Sequence, residues 1–234
     1  MLRIITDFDG PIMDVSERYY RVYLLCLATI RGSDQVVNQL SKVEFWQLKR
    51  ACVPEREIGR LSGLNQAQAQ DFARLRRDTV HTLPYLAYDC PVPGAIATLE
   101  RIQQAGISLV VMTMRRVREL DHALEQYDLG QFFAPDCRYC LSDDYVKTKD
   151  VEDKPLLMQQ ALAELPPASQ TWMIGDTEAD IIAAKTHGIP VLGVLSGIRD
   201  RPRLEQHQPT LVVNDLTAAI DLILHKSPVA CVSY

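Results

Sequence analysis

The stretch Thr171–Leu195, TWMIGDTEADIIAAKTHGIPVLGVL, decides the fold. "TWMIG" is a short bulky run that reads as a strand, "TEADIIAAKTHG" as a helix closed by Gly188, and "IPVLGVL" as a second strand. A strand, a helix and a strand in such close order make a crossover unit, which places parallel strands in one sheet and helices on its faces.

The same alternation extends outward. Upstream, "PGAIATLERIQQAG" reads as a helix with Ile96, Leu99 and Ile102 on one side, and "ISLVVMT" as a buried strand. "RRVRELDHALEQYDLG" follows as a helix with Val117, Leu120, Leu124 and Tyr127 at helical spacing, then "CRYCL" as a short strand and "SDDYVKTKDVED" as a polar loop. Pro155 is expected to open the next helix. Downstream lie a short helix near 200, the strand "TLVVN" and a helix from Asp215. The amino-terminal "MLRIITDFDGPIMD" begins with a strand built on Leu2, Ile4 and Ile5 and stopped by Gly10-Pro11. The expected fold is α/β, a doubly wound parallel sheet.

Residues 15–89 break the alternation. "SERYYRVYLLCLATIRG" puts Tyr19, Val22, Tyr23, Cys26, Leu27 and Ile30 on one helical stripe, and no strand is expected before 107. Gly32, a capping box from Ser41 to Glu44, Pro54, Gly63 and Asn65 divide the stretch into about four helices. The expected organisation is an α/β core of residues 1–14 and 90–234, with a smaller all-helical cap over 15–89.

With 234 residues, 47% apolar and 24% charged, the chain has the composition of an ordinary globular protein. A net charge of -5 with scattered basic residues argues against nucleic acid as a partner. No apolar run suits a signal peptide or a membrane span, so a cytoplasmic protein is expected, as monomer or homodimer. The six cysteines, at 26, 52, 90, 137, 140 and 231, read mostly as buried free thiols. "CRYC" lacks the second pair that zinc would need.

Polar residues stand just past several of these strands: Asp7 and Asp9 after the first, Thr113 after "ISLVVM", and Asp176 after "TWMIG", with Asp180 one helical turn on. In a doubly wound sheet all of them gather at the carboxyl edge, where Lys154 of "EDKP" brings a positive charge. Four acids so close call for a cation, and an all-oxygen site favours Mg²⁺, a partner of phosphate oxygens. A carboxylate nucleophile, a second carboxyl to move protons, and a lysine and a hydroxyl to neutralise phosphoryl oxygens make a set for phosphoryl transfer. Each residue has a plainer reading beside this one: Asp176 as a helix cap, Asp180 as an exposed first-turn acid, Thr113 as a strand residue. His81, His122, His187 and His207 lack paired ligand spacing and read as surface or packing residues.

Taken together, "DFDGPIMD", "VVMT", "DKP" and "IGDTEADIIAAKTHGIPVLGVLSG" resemble, in order and spacing, the four motifs of the haloacid dehalogenase-like hydrolase superfamily. The resemblance is to phosphatase-type members with a helical cap after the first motif, such as phosphoglycolate phosphatases and β-phosphoglucomutases. It implies Asp7 as nucleophile and metal ligand, Asp9 as general acid/base binding the metal through its backbone carbonyl, Thr113 as a phosphoryl hydrogen-bond donor, and Lys154 as partner of Asp7. It further implies Asp176 as a direct Mg²⁺ ligand supported by Asp180, with Glu178 a solvated surface acid. Gly10 lets the chain turn beside the phosphate, and Met114, Arg115 and Arg116 are candidate substrate contacts. Pro11 and Met114 depart from the usual motif residues, threonine and a small polar residue. The implied activity is a Mg²⁺-dependent phosphatase acting on a small phosphorylated metabolite through an aspartyl-phosphate. The rivals are a phosphosugar mutase on the same scaffold, or a non-catalytic or receiver-like protein.

Overall fold

The computed structural model describes residues 1–226. The chain opens with β1 (Leu2–Thr6) and the two-residue β2 (Met13–Asp14). It then passes through α1 (Ser16–Ile30), α2 (Lys42–Arg50), α3 (Glu55–Leu61), α4 (Gln66–Thr79) and α5 (Leu83–Leu86) before β3 (Cys90–Pro91). From there helix and strand alternate: α6 (Ala95–Gln104), β4 (Ser108–Arg116), α7 (Val117–Gln126) and β5 (Arg138–Leu141), then α8 (Asp150–Glu164) and β6 (Gln170–Gly175). α9 (Glu178–Thr186), β7 (Val191–Val194), α10 (Arg201–Glu205), β8 (Leu211–Val213) and α11 (Leu216–Lys226) complete it.

Six parallel strands form one sheet in the order β5-β4-β1-β6-β7-β8. Because successive residues of a strand face opposite ways, its two faces feed two cores. Ile4, Val111, Ile174 and Leu192 pack into one with Leu99, Leu120 and Ile220, while Ile5, Val110, Met173 and Val191 pack into the other with Met158, Ile181 and Leu204. Fully burying one such aliphatic side chain contributes roughly 1.5–3 kcal/mol. The chain leaves β1 towards β4 and β5 on one side and returns to β6 on the other, so the crevice at the carboxyl ends of β1, β4 and β6 is the switch point where such folds hold ligands.

Between β2 and β3 the five helices enclose an apolar cluster of their own, built on Val22, Tyr23, Cys26, Phe45, Ile58 and Phe72. Tyr23 stacks on Phe45 at 4.8 Å between ring centres, and its hydroxyl joins Ser62 at 2.9 Å. Ser41 with Glu44 and Asn65 with Gln68 form complete capping boxes at the starts of α2 and α4.

Several expectations shift. The helices between 15 and 89 are five rather than four, and the stretch is bounded by a short antiparallel ribbon of β2 with β3, too brief to leave an alternating pattern. α8 starts at Asp150 rather than Pro155: the Asp153 carboxylate accepts the Thr148 N–H at 2.9 Å and ties down the preceding loop, so the proline sits in the second turn. In α6 the buried stripe is Ala95, Thr98, Leu99 and Ile102, leaving Ile96 exposed, and Val117 is likewise exposed at the first position of α7. Among the described cysteines only Cys26 is buried; Cys52 and Cys90 are exposed, Cys137 and Cys140 are half-buried free thiols, and Cys231 lies outside the described residues. No helix among the described residues is long and apolar enough to cross a membrane.

Candidate active site

Asp7 is the first residue past β1, and its backbone N–H still donates to the Ile174 carbonyl at 2.8 Å, so the sheet itself fixes it. Its carboxylate accepts the Phe8 N–H at 2.6 Å and the Lys154 ammonium at 2.8 Å. Lys154 reaches Asp180 as well, at 2.5 Å, and is 1% exposed. Burial works against the charge of Lys154, but Asp180 and Asp7 more than offset it and hold the amine cationic above its ordinary range.

Asp176 follows β6 and accepts the Ile198 N–H at 2.6 Å. It is not the cap of α9; that role falls to Thr177, whose N–H and hydroxyl both donate to Asp180 at 3.0 and 2.7 Å. Asp180 is therefore a fully buried member of a capping box rather than an exposed first-turn acid. Asp7, Asp176 and Asp180 offer oxygens that lie within 4.8 Å of one another, all from buried residues. Burial and mutual repulsion raise the cluster: Asp176 is pushed up to about 7 by burial and then by Asp180. Asp7 rises well above the carboxylate range, by burial first and despite Lys154. Such a set is short of positive charge. Its three oxygen donors fit a hard divalent cation.

Gly10 turns at φ +89°, and a Cβ there or at Gly197 would collide with the Asp176 carboxyl group. The chain thus closes around Asp176 from both sides. Ser196 completes the wall by donating its hydroxyl to the Gly10 carbonyl at 2.7 Å.

Asp9 faces elsewhere. One of its oxygens pairs with the Arg115 Nη2 at 2.7 Å and accepts Nε at 2.8 Å, and the other pairs with Arg18 at 3.0 Å. Burial would raise this carboxyl, but Arg115 and then Arg18 overcome it and hold it down at about 2. Its carboxylate is outside the three-acid cluster. Thr113 and Met114 lie in β4, which runs beyond the expected strand end; its pairing with β5 slips between Met112 and Arg116, freeing this stretch to line the cleft.

Of the two arginines, Arg115 lines the cleft and Arg116 does not. Arg115 is 2% exposed and bound to Asp9 and Asp89, while Arg116 donates to the carbonyls of Ser142, Asp143 and Tyr145 and braces that loop. Each guanidinium is occupied by protein partners. Glu178 is no solvated acid either: Arg199 grips both of its oxygens, at 2.7 and 2.8 Å.

The cleft over these residues has a volume of about 240 Å³. Its far wall comes from the helical segment: Tyr19, Lys49, Arg76 and His81. Lys49 and Arg76 share Glu55, and burial together with the nearby Arg76 lowers the Lys49 amine to about 8. None of the four reads as a site residue in the sequence: Tyr19 falls on the helical stripe of α1, and His81 reads as a surface or packing residue. Single basic residues on amphipathic helices carry no mark of the site they will face. Arg18 did leave a signal, since it shares the face of Val22 and Cys26 on α1, where a charge is out of place.

Residues 153–219, which carry Lys154, Asp176 and Asp180, match the family described as HAD-hydrolase-like. Over this stretch the chain is similar to the haloacid dehalogenase-like hydrolases. Among curated relatives of this family, it is 29% identical over 148 residues to a phosphoglycolate phosphatase of Agrobacterium fabrum, covering 58% of this chain and 56% of the relative. It is 27% identical over 128 residues to a phosphoglycolate phosphatase of Pseudomonas fluorescens, covering 55% of this chain and 45% of the relative. The chain thus spans about half the length of the curated relatives it matches. In fold it is similar to a haloacid dehalogenase-like family hydrolase from Streptococcus pneumoniae, with a TM-score of 0.67 at 19% identity over 94% of this chain and 97% of the other.

Proposed function

We propose that the chain is a Mg²⁺-dependent phosphatase that hydrolyses a small phosphorylated metabolite through an aspartyl-phosphate, with helices α1–α5 as its cap. The observation that carries this reading is the salt-bridged Asp7–Lys154 pair beside buried Asp176 and Asp180. In the first step a carboxylate oxygen of Asp7 forms a bond to phosphorus as the ester P–O bond breaks, and Asp9, ionised here between Arg115 and Arg18, takes up a proton when substrate binds and passes it to the departing alkoxide. In the second, water attacks the acyl phosphate, its proton returns to Asp9, and inorganic phosphate and free Asp7 result. Lys154 holds Asp7 in place and offsets charge on the phosphoryl oxygens, with Thr113 as a further donor.

Asp7, Asp176 and the Asp9 backbone carbonyl would hold Mg²⁺, supported by Asp180; when bound, the ion neutralises charge on the phosphoryl group. The relatives named as phosphoglycolate phosphatases support a substrate of few atoms, as does the size of the cleft. The test is phosphate release from a panel of phosphorylated metabolites, with Mg²⁺ and with EDTA. Activity should require the ion, and Asp7→Asn should abolish it while leaving the fold intact. Turnover by the Asp7→Asn variant near that of the parent would overturn the mechanism.

A further inference from the structure

Asp9, Arg18, Asp89 and Arg115 form a closed ring of ion pairs. Arg18 joins Asp9 and Asp89, each at 3.0 Å, and Arg115 joins the same two acids from the other side. The four come from distant stretches: the loop after β1, the first turn of α1, the linker before β3, and the end of β4. Two guanidinium and two carboxylate groups balance in charge. Arg18 is fully buried and Asp89 is 1% exposed, so the ring meets the cleft through Arg115 and through Asp9, which has a quarter of its side chain exposed.

A ring of this kind is a poor way to gain stability. Taking charges out of water costs several kcal/mol per ion, and apolar residues of similar volume usually do as well or better. At Arg18 the apolar alternative is plain, because Val22 and Cys26 continue the same face of α1 as buried apolar residues. The guanidinium is not even fully used, since its Nη1 is buried without a hydrogen-bond partner. What the ring does accomplish is to fix Asp9: each carboxylate oxygen has its own arginine, and Asp89 fixes both arginines from behind. The Tyr127 hydroxyl in turn holds the backbone carbonyl of Asp89, at 2.5 Å.

We propose that Arg18 and Asp89 are positioning residues that set the orientation of the Asp9 carboxylate for proton transfer. This rests on the phosphatase reading of Asp9. Asp9 is held in place by the stretch where the chain enters the helical segment, Arg18, and by the stretch where it leaves, Asp89. Proton transfer is therefore tied to the seating of α1 and the return linker, although neither residue needs to touch substrate.

The test is a double-mutant cycle on the whole chain. Arg18→Lys and Asp89→Asn keep much of the volume, but a lysine is a point charge that cannot fork between two acids. Each should lower kcat on an alkyl phosphate about 10- to 100-fold with little change in KM, the scale of a misplaced reacting group. The loss should be smaller on para-nitrophenyl phosphate, whose departing oxygen needs no proton. In an Asp9→Asn background either change should cost almost nothing more. Losses that add fully to that of Asp9→Asn, that fall equally on both substrates, or that appear only in KM would overturn the proposal. So would failure of both variants to fold, because the ring would then be a brace first. If the parent chain releases no phosphate the phosphatase reading falls, and if Asp9→Asn is as fast as the parent the acid/base role of Asp9 falls; either takes this proposal with it. An active parent, a slow Asp9→Asn variant and an additive cycle would remove the ring alone.

Discussion

At the scale of the residue, Gly10 shows how backbone and chemistry constrain each other. Its φ of +89° disfavours any side chain, and a Cβ would occupy the space of the Asp176 carboxyl group. Gly10→Ala should therefore destabilise the fold by about 1–3 kcal/mol and displace Asp176. Chemical denaturation checks the first effect. A rise of about 10-fold or more in the Mg²⁺ concentration for half-maximal activity checks the second. Parent-like values in both would mean that the loop relaxes freely around the methyl group. Residues of this kind were legible in the sequence because their signal is local: an apolar strand ending in Asp-x-Asp-Gly needs only its own neighbours to be read. Arg18 and Asp89 were not, since what they do depends on each other and on Arg115, 26 residues beyond Asp89. No short window of sequence contains that ring.

Among the elements, the contacts of α2, α3 and α4 converge on Glu55, which holds Lys49 of α2 and Arg76 of α4. Two cations on one carboxylate leave an excess positive charge, and with burial as the larger cause the Lys49 amine falls to about 8 from its usual 10.5. The sign follows from proton counting. Between pH 8 and 10.5 the folded chain has released the Lys49 proton while the unfolded chain keeps it, so this group makes stability rise with pH across that window. Comparison with Lys49→Met, by denaturant midpoint at each pH, should show the parent gaining relative to the variant by at most about 3 kcal/mol. A flat difference would show that the amine keeps an ordinary affinity for its proton. The capping box of α2 was readable in advance, because Ser-x-x-Glu is a pattern within one turn. The start of α8 was misplaced by five residues for the opposite reason: the contact that fixes it, Thr148 to Asp153, outweighs a proline signal that is merely statistical.

For the whole molecule, the question is which half chooses the substrate. The sheet edge supplies Asp7, Thr113, Lys154 and Asp176, whereas Tyr19, Lys49, Arg76 and His81 enter the cleft from the helical segment. On the proposed reading chemistry and recognition are carried by different stretches, and the geometry offers a way to separate them. β2 and β3 pair antiparallel, Asp14 with Cys90, so the two ends of the segment lie side by side and a short linker can close the gap. Replacing residues 20–86 with a few Gly and Ser residues keeps Arg18 and Asp89. It removes the separate apolar cluster around Phe45 and Phe72 almost as a unit, and leaves both cores of the sheet in place. The shortened chain should fold, bind Mg²⁺ and hydrolyse para-nitrophenyl phosphate slowly. Its preference among metabolites should disappear, because neither the basic wall nor the exclusion of water remains. The deciding quantity is the ratio of kcat/KM for the best metabolite to that for para-nitrophenyl phosphate, in the full and shortened chains. A fall of about 10-fold or more assigns selection to the helices, as the loss of buried polar contacts to a substrate would require. If the ratio survives in a folded core, selection lies at the sheet edge. Met114 would then be the residue to change first, since the guanidinium groups of Arg115 and Arg116 are already spent on protein partners.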